Sequence, residues 1–193
     1  MKFLVLILSL SFLVGCGVQS IPMAKNEVEA QLAEVSNQYK RRADLIPNLV
    51  KVVKGYASHE KETLQAVIEA RSKATSTTID PSNVSPEQLQ MFAQNQGALS
   101  SALSKLMVVV ERYPDLKANQ NFKDLQVQLE GTENRIAIAR RRYIESIKGF
   151  NNKVTVPPES ITNMIIYRYP KMPQWDVSEE EKGRVEKAPS FDL

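Results

Sequence analysis

Apolar residues recur every three or four positions along residues 28–70. This seven-residue repeat predicts an amphipathic helix of roughly 40 residues, about 60 Å long at ~1.5 Å per residue. Arg42, Glu60 and Thr63 are the polar residues that interrupt the apolar seam. Because the repeat keeps its phase past Pro47, we expect a kink at this proline and not a break. A single narrow seam cannot bury itself, so the helix requires partner helices.

A second helix is predicted to begin at Ser85. Ser85 is a capping residue, Pro86 suits the first helical position, and Gln88 can complete a capping box. Apolar residues then continue at helical spacing until Tyr113 and Pro114, where this helix is expected to end.

A third helical pattern covers residues 118–151. Val127, Ile138 and Ile144 lie off its main seam and are expected to widen its apolar face. Residues 160–168 can form a short fourth helix. The pattern therefore predicts an all-α fold, an antiparallel up-down-up bundle of three long helices plus a short fourth helix.

The chain begins with an apolar run at residues 3–14, which is too short for an ordinary membrane span of ~20 residues but suits the core of a signal peptide. The run ends in Leu13-Val14-Gly15-Cys16, which resembles the bacterial lipoprotein signal, in which the cysteine is lipidated. The alternative is an uncleaved signal anchor in which Cys16 is incidental. Both interpretations predict a membrane-tethered domain outside the cytoplasm, on the periplasmic side or at the cell surface.

These features divide the chain into four segments. Residues 1–16 are the signal peptide or signal anchor, and residues 17–25 are a predicted tether. The bundle is expected to cover residues 26–169, with Asn26 as the cap of its first helix. Residues 170–193 are rich in proline and charge, which predicts a mostly disordered tail.

Composition excludes several classes of function. The chain of 193 residues carries a formal charge of +3, so no strongly charged partner is implied, and an external domain is not expected to bind nucleic acid. One cysteine and one histidine exclude a disulfide framework and a multi-cysteine metal site. His59-Glu60 begins a zinc-protease pattern, but Thr63 occupies the position of the second histidine. We therefore expect no metal, no cofactor and no catalytic residues.

Arg42 is the most informative polar residue, because a charge on the seam must be paired or must reach solvent. We expect an inter-helix salt-bridge network, in which Arg42 pairs with Glu130 or Glu133. The alternative is a groove for an acidic or peptide ligand around Arg41, Arg42 and Arg140. The residues available to the network or partner surface are Arg41, Arg42, Asp44, Glu60, Glu130, Glu133, Arg135 and Arg140.

Two blocks of sequence resemble the bacterial LemA family. They are Asn37-Gln38-Tyr39-Lys40-Arg41-Arg42-Ala43-Asp44-Leu45-Ile46-Pro47-Asn48-Leu49-Val50 and Tyr113-Pro114-Asp115-Leu116-Lys117-Ala118-Asn119. With the matches after each block, the resemblance covers roughly residues 26–152. It implies a helical bundle beside an N-terminal membrane segment, without an established enzymatic activity.

The favoured function is a non-enzymatic interaction or scaffolding module that binds an envelope protein or self-associates. The alternative is a protein that binds a small ligand, peptide or lipid between its helices, which requires a cavity. An envelope hydrolase that acts through carboxylates such as Glu60 and Glu130 is the third interpretation, and it requires two acids close together in a cleft.

Overall fold

The computed structural model describes residues 2–173 and residue 175, with side chains described from Val18 onward. The described part is all-α and contains no strand, which confirms the predicted fold class. Its elements are α1 (Lys2–Tyr56), α2 (Lys61–Ser76), α3 (Pro86–Val110), α4 (Pro114–Ala118), α5 (Gln120–Thr155), α6 (Glu159–Thr162) and a π-helical turn (Asn163–Tyr167).

The helices form an antiparallel bundle, in which α1 and α3 run in one direction and α2 and α5 run in the other. Two groups of buried side chains show this arrangement. In one, the end of α1 meets α2, the end of α3 and the start of α5. In the other, the start of the buried part of α1 meets the start of α3 and the end of α5. The core therefore runs along the length of α1.

Helix α1 begins far before the predicted start at Asn26, so the predictions of a cap at this residue and of a tether at residues 17–25 were wrong. Helical structure persists because Ile21 and Val28 are both buried in the core, and this packing fixes the intervening turns. Pro22 deprives the carbonyl of Val18 of its normal helical donor. The hydroxyl of Tyr167 donates to this carbonyl oxygen over 2.6 Å and replaces the missing bond.

The predicted continuous helix over residues 28–70 was also wrong, because the chain turns back between Tyr56 and Lys61. Gly55 has a low helix propensity and lies just before this turn. Across the turn the buried positions move from the predicted seam to Ala57 and Leu64. The turn allows α2 to fold back along α1 and to bury its own apolar face.

The first helix continues through Pro47, as the uninterrupted repeat predicted. Proline at this position cannot donate to the carbonyl oxygen of Ala43. Nε of Arg71, on α2, donates to that oxygen over 2.8 Å. Side chains from other elements thus compensate for both prolines in α1.

Helix α3 has the predicted start, since Ser85 and Gln88 form the complete capping box. Helix α5 is longer than predicted and ends at Thr155, because Val154 is buried against the core. The off-seam residues Val127 and Ile138 are exposed, so they do not widen the buried face as predicted. The third off-seam residue, Ile144, is partly buried against the core.

After α5 the chain forms α6 and the π-helical turn, where a short fourth helix was predicted. The first residues of the predicted disordered tail are held against the bundle, contrary to the prediction. Met172 is held by Asn151, whose side chain bonds to its backbone N–H and carbonyl at 2.9 Å each. Trp175 is buried in the core. The remaining disorder prediction, for residues 176–193, lies outside the described residues. Within the described residues, no helix combines the length and apolar character needed to cross a membrane.

Candidate functional site

Arg42 lies midway along the buried face of α1 and is 1% exposed. Its Nη1 donates to Oε1 of Glu133 over 2.7 Å and to Oγ of Ser100 over 2.8 Å. Its Nη2 donates to Oε1 of Gln96 over 2.8 Å and to the Gln96 carbonyl oxygen over 3.2 Å. The guanidinium also lies 5.0 Å from the ring centroid of Tyr39, which adds a cation–π contact.

This cluster joins the four helices of the bundle. Arg42 belongs to α1, Gln96 and Ser100 belong to α3, and Glu133 belongs to α5. Nε2 of Gln96 donates to the carbonyl oxygen of Ala74 at the end of α2, over 3.2 Å. A buried cation with several partners permits fewer alternative registers than an apolar contact, because any shift leaves a charge unpaired. The hydrogen bonds of Arg42 therefore favour one register of the four helices over the alternatives.

The predicted pair between Arg42 and a glutamate of the third long helix is present, and its partner is Glu133. Because Arg42 is buried and its two terminal nitrogens are engaged, it does not offer its guanidinium to an acidic ligand at the surface.

The structure does not bring the other predicted residues into one network. Arg41 and Asp44 are exposed on α1. Glu130 accepts a bond from Gln126 of its own helix, over 3.0 Å. Nε of Arg135 donates to the backbone carbonyl of Gly131, one turn earlier, over 3.2 Å.

Glu60 forms a separate cluster at the turn between α1 and α2. Its Oε1 accepts bonds from Nη2 of Arg112 and from the hydroxyl of Tyr113, each over 2.8 Å. The hydrogen bond to Glu60 raises the pKa of the Tyr113 phenol. In the same region, Nδ2 of Asn119 donates to the hydroxyl of Tyr56 over 2.9 Å. These bonds fasten the α1–α2 turn to the connection between α3 and α5.

Arg140 belongs to an aromatic cluster at the other half of the bundle. Its guanidinium lies 5.4 Å from the ring centroid of Trp175. Trp175 makes edge-to-face contacts with Tyr143 at 5.8 Å and with Phe92 at 6.3 Å. Burial raises the pKa of Tyr143 to about 12. This cluster fixes the chain after the π-helical turn against α3 and α5.

The two candidate acids of a hydrolase are engaged by different partners, Glu60 by Arg112 and Tyr113, and Glu130 by Gln126. In the part of the chain that the structure describes, no three His, Cys, Asp or Glu side chains are grouped so that they could hold a metal ion. His59 is exposed in the turn after α1.

The bundle agrees with the similarity that the sequence blocks indicated. Residues 31–190, most of the chain, match the LemA family. The chain belongs to the LemA family. Protein LemA of Metamycoplasma hominis is 26% identical over 153 residues, which make up 79% of this chain and 66% of that protein.

Two further relatives carry a different name. Magnetosome protein MamQ 2 of Paramagnetospirillum magneticum is 24% identical over 149 residues, 68% of this chain and 55% of that protein. Magnetosome protein MamQ of Magnetospirillum gryphiswaldense is 24% identical over 156 residues, 72% of this chain and 57% of that protein. This LemA-family chain therefore spans less than two thirds of the length of these three relatives.

Sequence reasoning missed several residues of these clusters, among them Gln96, Ser100 and Trp175, and it also missed Arg71, which bonds to the Ala43 carbonyl. Gln96 carried a usable signal, because it is a polar residue at a seam position of α3, just as Arg42 is on α1. Arg71 also had one, since a proline inside a helix frees a carbonyl that some donor must satisfy. The helical spacing of the residues gave no signal that Ser100 or Trp175 would belong to these clusters.

Proposed function

We propose that this LemA-family protein is a non-enzymatic, membrane-anchored interaction or scaffolding module that works outside the cytoplasm. The observation that carries the anchoring is the continuity of α1 from Lys2 to Tyr56. The apolar run at residues 3–14 and the core residues from Ile21 onward belong to this one helix. Within the described residues, no separate linker lies between the apolar run and the bundle, because one helix covers both.

Two anchors fit this arrangement. Lipidation of Cys16 would place acyl chains directly before the bundle, each methylene contributing ~0.8 kcal/mol when buried in the bilayer. An uncleaved signal anchor would use the apolar run itself. Intact mass of the membrane-extracted protein separates them, with Cys16→Ser as the comparison. An acylated mass that lacks residues 1–15, and that is lost in Cys16→Ser, supports the lipoprotein. An unlipidated full-length mass supports the signal anchor, and release of the full chain from membranes by salt would contradict both.

The interaction surface that fits best is an exposed face of α3. Gly97, Ser101, Ser104 and Val108 follow each other at spacings of four, three and four residues, so they share one side of the helix. All four are exposed. A Cβ added to Gly97 would meet nothing within 4 Å. Small side chains allow the backbone of a second helix to approach closely, which suits a helical protein partner or a second copy of this chain.

A bulky substitution on this face tests the interaction. Crosslinking of the full-length protein in its native membrane should yield a defined larger species with the wild type. Ser101→Phe should lose this species, whereas Gln65→Phe on the exposed side of α2 should retain it. A crosslinking pattern that is identical for the wild type and Ser101→Phe would reject this face as the interaction surface.

A further inference from the structure

Exposed apolar side chains are concentrated in α6 and the π-helical turn. Ile161, Met164, Ile165 and Ile166 are 50–68% exposed, although they lie within six residues of each other. Val18 on α1 is also exposed, and its carbonyl accepts the hydrogen bond from Tyr167. We call Val18 and these four residues the end surface. Isolated exposed apolar side chains are ordinary, but such a concentration marks a surface with a partner.

The end surface is displayed on a firmly held segment. Asn163 is buried, and its Nδ2 donates to the carbonyl oxygens of Tyr169 at 3.1 Å and Val154 at 3.4 Å. Its Oδ1 accepts the backbone N–H of Tyr169 at 3.0 Å. Together with the bond from Tyr167 to α1, these contacts fix α6 and the turn between the end of α5 and the start of the bundle. The apolar side chains are therefore presented outward by a fixed scaffold.

The position of the end surface along α1 indicates what covers it. Val18 follows Cys16 by two residues and follows the last residue of the apolar run, Val14, by four. Four helical residues correspond to about 6 Å along the axis. An acyl chain on Cys16 and an apolar helix at residues 3–14 would each bring a bilayer to this end of the bundle.

The residues around the end surface fit the same partner. Tyr167 and Tyr169 stack on each other, with ring centroids 5.4 Å apart, at the edge of the segment. Arg168 and Lys171 are exposed. Aromatic rings and cations that border an apolar surface are typical of segments at the boundary between lipid headgroups and acyl chains.

We propose that the end surface binds the lipid bilayer that holds the N-terminal segment, with its apolar side chains inserted below the headgroups. It provides a second attachment beside the anchor, so the bundle is fixed in orientation and does not swivel on a single point. This inference rests on the membrane anchoring proposed above. The exposed cations around it favour a surface that contains anionic lipid.

A tryptophan placed on the end surface tests the contact. The full-length Ile165→Trp protein is reconstituted in vesicles of phosphatidylcholine and phosphatidylglycerol whose acyl chains carry bromine, a quencher of tryptophan emission. The control is Ile68→Trp, an equivalent substitution at an exposed isoleucine of α2 on the other half of the bundle. The signal of Trp175, measured with the wild type, is subtracted from both. Flotation of the vesicles reports anchoring independently.

We expect emission from position 165 to shift to the blue and to lose about half its intensity, as for a side chain inserted at the acyl boundary, and emission from position 68 to stay unquenched. A protein that floats but is unquenched at position 165 would overturn the lipid contact and leave the anchor standing. A blue shift without bromine quenching that grows with protein density would assign the surface to a second copy and would also overturn it. Absence of flotation would overturn both proposals. Ile166→Trp repeats the test if Ile165→Trp does not fold.

Discussion

Arg71 donates from Nε to the carbonyl oxygen of Ala43, over 2.8 Å. This carbonyl is the one that Pro47 leaves without a donor inside α1. Val18 stands in the same relation to Pro22, and there the donor is the hydroxyl of Tyr167. Each proline therefore opens a site on α1 to which another element is attached, α2 in the first case and the π-helical turn in the second.

The effects of substitutions at Arg71 and at Pro47 on the free energy of unfolding should therefore not be additive. Arg71→Leu should lower the free energy of unfolding by about 1–2 kcal/mol, because it leaves the carbonyl of the buried Ala43 without a donor. In a Pro47→Ala background the restored backbone N–H donates to Ala43, so the same substitution should cost much less. Urea unfolding of the four full-length proteins in detergent provides the double-mutant cycle. Equal costs in the two backgrounds would contradict the coupling.

The pair of Arg42 and Glu133 makes a second prediction. Glu133 is 49% exposed and Arg42 is 1% exposed, so removal of the carboxylate charge leaves the buried cation with neutral partners only. Glu133→Gln should cost about 1–2 kcal/mol of unfolding free energy. Glu130→Gln is the matched control, because Glu130 lies on the same helix and, among the described residues, its bond is to Gln126 of that helix. Its cost should stay below about 0.5 kcal/mol, as for surface substitutions in general.

An Arg42→Met background separates the pair from the rest of the cluster. Without the cation, Glu133→Gln should have almost no effect, because the carboxylate is then a surface group. Thermal melting of the four proteins measures this. If Glu133→Gln were equally harmful with methionine in place of Arg42, the carboxylate would act through some contact other than this ion pair.

The helical seams were predictable because burial imposes a simple period. Leu32, Val35, Ile46 and Leu49 lie at predicted positions on α1 and are buried. The helix start at Ser85 was predictable for a similar reason, since a capping box depends on local residues alone. Arg42 was identifiable as a residue that needs a partner, and one of the two glutamates expected to pair with it, Glu133, does so.

The turn after Tyr56 was not predictable from the repeat. The period of seven continues on both sides of the turn, and the break becomes visible only through tertiary contacts such as those of Glu60 with Arg112 and Tyr113. Helix α1 likewise continues through Pro22 because Tyr167, 145 residues later in the chain, satisfies the freed carbonyl. Contacts over such separations leave no local pattern in the sequence.

Trp175 should stabilise the bundle although it lies beyond the last helix. It is 6% exposed and contacts Phe92, Tyr143 and Arg140. Trp175→Ala should lower the free energy of unfolding by about 3 kcal/mol, through lost burial and a cavity. Val127→Ala, at a highly exposed position of α5, serves as the control and should change it by less than about 0.5 kcal/mol. Denaturant titration followed by circular dichroism measures both, and similar values for the two variants would show that residue 175 is not part of the core.

Tyr143 makes the stability of the bundle sensitive to high pH. Burial raises its pKa to about 12 in the folded chain, whereas an unfolded tyrosine loses its proton near pH ~10. Between these values the folded state binds more protons than the unfolded state, so the free energy of unfolding falls as pH rises. The contribution of the Tyr143 proton to the free energy of unfolding is complete below pH ~10 and is lost as the pH approaches ~12. A pKa shift of this size corresponds to roughly 3 kcal/mol. Tyr143→Phe keeps the ring and should flatten this decline.

Two other groups also favour their protonated forms in the folded chain, so they contribute to the same fall in the free energy of unfolding at high pH. The pKa of Lys25 is raised by its hydrogen bond to Glu29, and the pKa of Tyr113 is raised by Glu60. Both lie nearer to solvent than Tyr143, so screening reduces their share of the decline. Urea unfolding of the wild type, Tyr143→Phe and Tyr113→Phe across this pH range should therefore show the larger flattening for Tyr143→Phe. An unchanged slope in Tyr143→Phe would mean that its phenol is as accessible to water in the folded bundle as in the unfolded chain.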